Sequence, residues 1–282
     1  MSFSGRWLVG RRSLALMGAG VIGALCTRWL RPAQALANTC EIADMTWMEV
    51  RDAIQAGART VIVPSGGLEQ NGPHMVIGKH DYIVAWAARR IAAELGNTLV
   101  APVVSYVPQG NYDPPTGNMS FPGTIGVPPA VFGATLEGIA RSLKTAGFET
   151  ICLIADHGPS IEPQTAVAAG LTAEWGSKGP RVLAINSYYA DAAETAYLRS
   201  QGEADAAIGT HATIADTSEL MAVHTGGVDL SRLPSHALSW ASLGINGDPR
   251  RSTLERGDAM MSLKVKAAVA EISQARSAGS SG

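Results

Sequence analysis

Short apolar segments that alternate with longer helical ones constrain the fold of this chain more than any other feature. The segment at residues 60–63 has no polar alternation, as expected for a parallel strand that is buried on both faces. We predict further strands at residues 98–107, 150–155 and 181–186. The sequence therefore predicts an α/β protein, a three-layer αβα sandwich with a mainly parallel sheet.

The helices that connect these strands determine where a binding site is expected. We predict them at residues 46–57, 81–95, 128–146, 161–175, 190–200, 204–223 and 254–275. Right-handed crossovers bring the carboxyl ends of all parallel strands to one edge of the sheet. Because ligands bind in the crevice at that edge, residues that follow the strands are the first candidates for function.

The first 37 residues have the pattern of a targeting segment. Arg11 and Arg12 precede an apolar stretch at residues 14–26, and A-x-A cleavage sites follow at residues 33–35 and 35–37. We predict a twin-arginine signal peptide over residues 1–37, export to the periplasm, and no stable membrane anchor after cleavage. The alternative is an uncleaved membrane anchor. A single domain at residues 38–276 and a flexible tail at residues 277–282 are expected to follow.

The composition argues against some classes of protein. Hydrophobic residues make up 46% of the chain, enough for a large core, and a net charge of −2 without a basic patch argues against nucleic-acid binding. Cys40 and Cys152 remain after cleavage, and export permits a disulfide between them. The position of Cys152 within a predicted strand instead favours a buried small hydrophobic residue.

Glu69, Asp81 and His157 are the strongest candidates for a metal site. Glu69 and His157 each follow a predicted strand, and Asp81 ends the loop after Glu69. Two carboxylates and an imidazole at this edge of an α/β sheet suit a divalent metal. Taken singly, each has a structural explanation: a solvated loop glutamate, a helix N-cap at Asp81 and a hydrogen-bonded polar histidine. Their shared position at one edge favours a site.

Other histidines offer proton transfer or extra ligands. His211 and Asp216 lie close together in a predicted helix and could move a proton, although an ordinary helix N-terminus explains the same spacing. His74 and His80 flank the loop of Glu69, and either could add a nitrogen ligand. The Gly/Pro/Asn-rich loop at residues 109–126 is long for a compact domain, which is typical of functional loops.

Five motifs of this chain resemble those of the creatininase family. They occur in the family's order: PSGGLEQNGPH at residues 64–74, FPGT at 121–124, DHG at 156–158, HA with DTS at 211–218, and GINGDP at 244–249. The resemblance implies a creatininase-like three-layer αβα fold and a homo-oligomer, often a hexamer. It also implies a divalent metal such as zinc, manganese or iron, and hydrolysis of C–N bonds in cyclic amides and related small molecules.

The resemblance also implies roles for single residues. The family's metal ligands, a glutamate, a bridging aspartate and a histidine, fall on Glu69, Asp81 and His157. Its acid/base histidine and the following glutamate fall on His211 and Asp216. We predict a substrate pocket at the loops that carry the first two motifs, including Asn71, His74, Asn118 and Phe121.

Several positions depart from the family pattern. Asn71 stands where the family has a histidine ligand of a second metal, and amide oxygen is a weak ligand for zinc. Pro159 stands where creatininases proper have a glutamate ligand. The Glu-His pair that usually precedes FPGT is Gly117-Asn118 here, and Asp216 is shorter than the family's glutamate. We therefore expect one metal per chain, with His80 as a candidate extra ligand, and a substrate other than creatinine.

The resulting hypothesis is a metal-dependent amidohydrolase that acts on a cyclic amide or related small amide. Two alternatives stay open. The same fold could hydrolyse a lactone or another small molecule, because a fold does not determine which bond is cleaved. The altered site could also belong to a non-catalytic periplasmic protein that only binds a small molecule.

Overall fold

A computed structural model describes residues 39–189, 191–235 and 240–279. The predicted signal peptide at residues 1–37 and the last three residues of the predicted tail lie outside the described residues. The strands are β1 (Thr60–Ser65), β2 (Thr98–Val100), β3 (Thr150–Ala155) and β4 (Arg181–Ala184). The helices are α1 (Trp47–Gln55), α2 (Lys79–Leu95), α3 (Pro129–Ala146), α4 (Ile161–Trp175), α5 (Asp191–Ser200), α6 (Asp205–Ile208), α7 (Ile214–Val223) and α8 (Leu254–Gly279).

The sheet is parallel throughout, with strand order β2-β1-β3-β4. Its two central strands, β1 and β3, are buried along their whole length. Such strands need apolar side chains on both faces, which explains the unbroken apolar pattern in the sequence. The predicted α/β sandwich is therefore confirmed.

Each face of the sheet has its own hydrophobic core. On one face Ile62 and Ile154 pack with side chains of α2 and α8, such as Ile83 and Val265. On the other, residues that alternate with these in β1 and β3 pack with side chains of α3 and α4, such as Phe132. Cys152 is fully buried in the first core, and burial raises the pKa of its thiol to about 12. Cys40 and Cys152 are both free, so the predicted buried thiol is confirmed and the disulfide alternative is wrong.

A strand and a helix depart most from the sequence pattern. β2 ends at Val100, and the following residues leave the ladder, with one isolated bridge between Ser65 and Val104. The helix predicted at residues 204–223 is interrupted between α6 and α7. Gly209 lies in this interruption with φ +57°, and a Cβ there would approach the carbonyl oxygen of Asn246 to 1.7 Å. The break lets the segment with His211 pair with Asn246 instead of continuing the helix.

The helix starts follow local capping rules in part. Thr46 and Glu49 form a capping box at the start of α1, as the sequence predicts. Helix α2 begins at Lys79, two residues before its predicted start, with Gly78 as its N-cap. The N-cap explanation for Asp81 is therefore wrong, because this residue lies inside the first turn.

None of the described helices is both long and apolar enough to cross a membrane.

We predict that Leu153→Ala in β3 lowers the free energy of unfolding by about 2–5 kcal/mol, because Leu153 is fully buried and its removal leaves a cavity. Urea denaturation followed by circular dichroism measures the change. The control is Val131→Ala in α3, where the side chain is half exposed and the expected change is within about 0.5 kcal/mol. Equal losses in both variants would contradict the assignment of β3 to the centre of the core.

Candidate metal centre

The parallel pairing of β1 and β3 brings two functional loops together. Ser65 and Ala155 are partners at the ends of these strands, so the loops that follow them leave the sheet side by side. Glu69 lies in the first loop and His157 in the second. His80, from the first turn of α2, completes a group whose ligand atoms all lie within 4.8 Å of one another. Within the part of the chain that the structure describes, this is the one group of that kind.

Glu69 is the centre of the group and is only 1% exposed. Its Oε1 lies 2.8 Å from Nε2 of His80, and its Oε2 lies 2.9 Å from Nε2 of His157. Asn118 donates its Nδ2 hydrogen to Oε2 at 2.5 Å. Burial alone would raise the pKa of the Glu69 carboxyl. The charges and hydrogen bonds of His80 and His157, with the charge of Lys79, outweigh burial and hold this pKa well below its usual value.

His80 is oriented by a second carboxylate. Its Nδ1 lies 2.8 Å from Oδ2 of Asp156, which also accepts hydrogen bonds at Oδ1 from Tyr188 and from Nζ of Lys264. Burial would raise the pKa of Asp156, but the Lys264 ammonium and His80 lower it to about 2. A carboxylate behind a histidine is the usual support of a metal-binding imidazole, because it sets the tautomer and the ring orientation.

The donor set of this group fits a divalent metal. One carboxylate and two imidazoles are the three protein ligands of many catalytic zinc sites, and manganese accepts the same atoms. Burial lowers the pKa of His157, which favours the neutral ring that a metal requires, whereas Glu69 and Asp156 outweigh burial and the charge of Lys79 and raise the pKa of His80. The Nδ1 atom of His157 is buried and has no hydrogen-bond partner among the described residues. Glu69 and His157, both predicted as ligands, are thus brought together.

Asp81, a predicted metal ligand, lies outside this group of three residues. Its Oδ1 accepts a hydrogen bond from the backbone amide of Gly67 at 2.9 Å. A Cβ on Gly66 would lie 2.0 Å from the same oxygen, so Asp81 sits tightly against the loop backbone. The third member is instead His80, which the sequence indicated as an extra candidate. The reason is the early start of α2, which turns His80 toward Glu69 and Asp81 toward the loop.

Lys79 places a buried positive charge beside Glu69. The side chain is 0% exposed, and its Nζ lies 2.5 Å from Oδ1 of Asp216 and 3.6 Å from Oε1 of Glu69. Burial would lower the pKa of Lys79, but the two carboxylates outweigh burial and raise it. The same ammonium, against the effect of burial, keeps the pKa of Asp216 far below its usual value. The site therefore holds a fixed cation of its own.

His211 reaches the centre from the break between α6 and α7. Its Nδ1 lies 3.6 Å from Oε1 of Glu69, and its Nε2 lies 2.9 Å from the carbonyl oxygen of Gln70. The predicted support of His211 by Asp216 is not observed. Asp216 instead binds Lys79 and accepts the amide hydrogen of Thr213 in the capping box of α7. Burial and the charge of Lys79 lower the pKa of His211, which favours a neutral imidazole at neutral pH.

The four predicted pocket residues have different surroundings. Asn118 contacts the centre directly, through Glu69, and also receives a hydrogen bond from Gln70. Asn71 is buried and donates its amide hydrogens to the carbonyls of Glu69 and Val76, so it holds the loop in shape. Nε2 of His74 lies 2.9 Å from Oγ1 of Thr217. Phe121 is half-buried in the predicted pocket loop, and its amide donates to the carbonyl of Asn118.

Sequence reasoning missed the two buried lysines and one acid of the site. Lys79 and Lys264 contact carboxylates 137 and 108 residues away in the chain, and no local pattern reports such pairs. Asp156 lies directly before His157 in a motif that the sequence analysis singled out. Its position at the end of a buried strand was the available signal that this aspartate is buried as well.

The comparisons with known proteins agree with this geometry. The creatininase family model, described as creatinine amidohydrolase, matches residues 43–272. The chain belongs to the creatininase family. Creatinine amidohydrolase of Pseudomonas putida is 26% identical over 209 residues, which cover 71% of this chain and 78% of the relative. Mycofactocin precursor peptide peptidase of Mycolicibacterium smegmatis is 27% identical over 208 residues, which cover 70% and 78%. These two members of the family are named as hydrolases.

Solved creatininase structures share the fold. A crystal structure of creatinine amidohydrolase matches with a TM-score of 0.66 and 23% identity, covering 84% of this chain and 98% of that one. A creatininase described with manganese matches with the same values. A creatininase mutant of the Zn-Zn type matches with a TM-score of 0.66 and 21% identity over the same shares of the two chains. The αβα architecture is therefore that of the creatininase family.

We predict that Lys79→Met costs about 3–5 kcal/mol of unfolding free energy in the presence of a chelator, because it leaves Glu69 and Asp216 buried without their cation. Asp216→Asn, which keeps an oxygen for the amide of Thr213, is expected to cost less, since Asp216 is partly exposed. The double variant, Lys79→Met with Asp216→Asn, should lose less unfolding free energy than the sum of the losses in the two single variants. Urea denaturation of the four proteins measures the coupling, and strictly additive losses would contradict the ion pair.

Proposed function

We propose that this chain is a metal-dependent hydrolase that cleaves a C–N bond of a cyclic amide or related small amide other than creatinine. The observation that supports the proposal is the buried group of Glu69, His80 and His157 with His211 beside it. The names of the two relatives, an amidohydrolase and a peptidase, point to the same type of reaction. Asn71 and Pro159, which replace family ligands, support a substrate different from creatinine and a single metal per chain.

Glu69, His80 and His157 would hold the metal. A divalent metal, when bound at such a ligand set, polarises a carbonyl oxygen and lowers the pKa of water. Asp156 keeps the His80 ring oriented toward Glu69. Asn118 binds the oxygen of Glu69 that also faces His157, so that the carboxylate cannot rotate freely. These residues prepare the geometry before a substrate arrives, which reduces the entropy lost in the reaction.

His211 is suited to move the proton of the reaction. Among the described imidazoles next to Glu69, it is the one that is partly open to solvent, with 23% of its side chain exposed. As a neutral imidazole it can take a proton from the attacking water and then give that proton to the leaving nitrogen. Water adds to the carbonyl carbon, the C–N bond breaks, and the products are a carboxylic acid and an amine. General acid–base help of this type contributes about 100- to 10,000-fold in rate.

A substrate panel tests the proposal. Cyclic amides, formamides and lactones would be offered to chelator-treated protein before and after addition of zinc or manganese. Metal-dependent hydrolysis of amides supports the proposal, whereas hydrolysis confined to lactones favours the esterase alternative. No turnover with any substrate, in protein shown to contain metal, would leave the non-catalytic binding protein as the better description.

The ligand set leads to a prediction about metal content. Glu69→Ala, His80→Ala and His157→Ala should each lose most of the ~1 metal ion per chain expected for a single catalytic site. Asp156→Asn should weaken metal binding about 10- to 100-fold through His80. The matched control is Asp81→Asn, which keeps an oxygen for the amide of Gly67 and should retain the metal. Mass spectrometry of metals in protein purified without chelator measures the content. Loss of metal in Asp81→Asn with retention in His80→Ala would reverse the assignment.

The role of His211 leads to a prediction about leaving groups. His211→Asn should reduce the rate by about 100- to 10,000-fold for an amide whose leaving amine needs a proton. The reduction should be smaller for an activated amide whose leaving nitrogen departs unprotonated. His224→Asn, which alters a ring stacked on Tyr82, is the control and should leave both rates unchanged. Steady-state kinetics with the two substrates would disprove the role if both rates fell equally.

A further inference from the structure

A pocket lies at the amino edge of the sheet, opposite the edge that carries the metal centre. Thr60, Thr150 and Arg181 are the first residues of β1, β3 and β4, and the pairing of the strands makes them neighbours. All three line this pocket, together with the loop before β4 and Arg276 from the last turn of α8. The volume of the pocket is about 610 Å³, and sites for small molecules measure roughly 300–1,000 Å³.

The wall of this pocket has more positive than negative groups. Among the described residues of the wall, the cations are Arg59, Lys178, Arg181 and Arg276, and the one carboxylate is that of Glu149. Glu149 is paired with Arg59. No described carboxylate forms an ion pair with the other three cations. They come from the loop before β4, from β4 and from α8, so the excess of positive charge arises from the fold and not from a basic segment of the sequence.

Two of the arginines have a structural role that leaves most of their donors free. Arg181 donates from Nη1 to the carbonyl of Ala275 at 2.6 Å, and Arg276 donates from Nη1 to the carbonyl of Leu95 at 3.5 Å. These carbonyls lie near the carboxyl ends of α8 and α2, where a cation is favourable. A guanidinium has five N–H donors, and no other described acceptor binds either group. Helix capping therefore accounts for one donor of each arginine.

The two threonines give an independent sign of a ligand. They lie on the face of the sheet that α2 and α8 cover, since Ile62, two residues along β1, belongs to that core. Thr60 is 5% exposed and Thr150 is 7% exposed, and neither hydroxyl has a hydrogen-bond partner among the described residues. Thr98, the next residue of the same row but outside the pocket wall, donates its hydroxyl to the carbonyl of Gly96. A buried hydroxyl without a partner is costly, so the two in the pocket wall need an acceptor from outside the chain.

The chemistry of the wall selects the kind of ligand. Guanidinium and ammonium groups repel a cation, and a neutral molecule would leave the three cations without a counter-charge. Carboxylate and phosphate groups fit, because their oxygens accept two parallel N–H bonds from one guanidinium and further bonds from hydroxyls. Both groups share this chemistry, which is that of an oxyanion.

We infer that this pocket is a binding site for a small oxyanion, held by Arg181, Arg276, Lys178 and the hydroxyls of Thr60 and Thr150. The full length of β1 and β3 separates the pocket from the metal centre. The site therefore goes beyond the proposed function, and it does not depend on whether the centre hydrolyses an amide.

The test uses two anions and one neutral molecule as probes. Inorganic phosphate represents a phosphoryl group, succinate represents a carboxylate, and succinamide is the neutral counterpart of succinate. Calorimetric titration of the full-length protein at constant ionic strength should show binding of phosphate or succinate and none of succinamide. The anion that binds more tightly identifies the source of the oxyanion.

Variants of the wall should change this binding in opposite directions. Arg181→Gln and Arg276→Gln should each weaken it by roughly 10-fold or more, as expected when a hydrogen bond to a charged group is lost. Lys178→Gln, at an exposed position that folding tolerates, should weaken it about 2- to 5-fold. Thr150→Val, which keeps the shape of the side chain, should weaken it as well. Glu149→Gln should instead strengthen binding, because it removes the carboxylate of the wall and releases Arg59.

Two controls separate this pocket from other places on the protein. Lys266→Gln removes an exposed ammonium of α8 that lies outside the wall and should leave binding unchanged. Treatment with a chelator should also leave it unchanged, because none of the metal-binding group lines the pocket. Equal binding of succinamide, no binding of either anion, or full binding by Arg181→Gln, Arg276→Gln and Lys178→Gln would overturn the assignment. Loss of binding after chelator treatment would also overturn it, since the anion would then lie at the metal centre.

Discussion

The arrangement of the loops at the carboxyl edge of the sheet depends on one carboxylate that stays charged although it is buried. Glu69 is almost fully buried, and a buried anion is stable only with cations and donors around it. Those groups come from separate parts of the chain: His80 and Lys79 from α2, His157 from the loop after β3, and Asn118 from the long pocket loop. Because each must be in place, the charge of Glu69 fixes the relative positions of these segments.

The compensation of buried charge extends from Glu69 to the last helix. The imidazole of His80 lies between Glu69 and Asp156 and contacts both. Asp156 in turn is paired with Lys264 of α8. Lys264 is itself almost completely buried, so its stem also fills space between the helices. The carboxylate that orients His80 therefore depends on the packing of α8.

The architecture was predictable from the sequence because it depends on local periodicity. Unbroken apolar strands and their connecting helices predict the parallel sheet, and its edge predicts that Glu69 and His157 meet. The choice between His80 and Asp81 was not predictable in the same way. Adjacent residues of a helix point about 100° apart, so a small change in where α2 starts decides which one faces the centre. The lysine pairs depend on distant contacts, and local patterns contain no information about them.

The departures from the family pattern and the buried lysines have one explanation in terms of charge. Asn71 donates its amide hydrogens to the backbone carbonyls of Glu69 and Val76, and Pro159 has no side-chain atom that could bind a metal. The carboxylates near the centre, Asp156 and Asp216, are compensated by the ammonium groups of Lys264 and Lys79. An ammonium balances charge and cannot be lost to a chelator, but it does not polarise a carbonyl as a metal does. Under the proposed function, a metal held by Glu69, His80 and His157 would supply the electrophile, and His211 would transfer the proton.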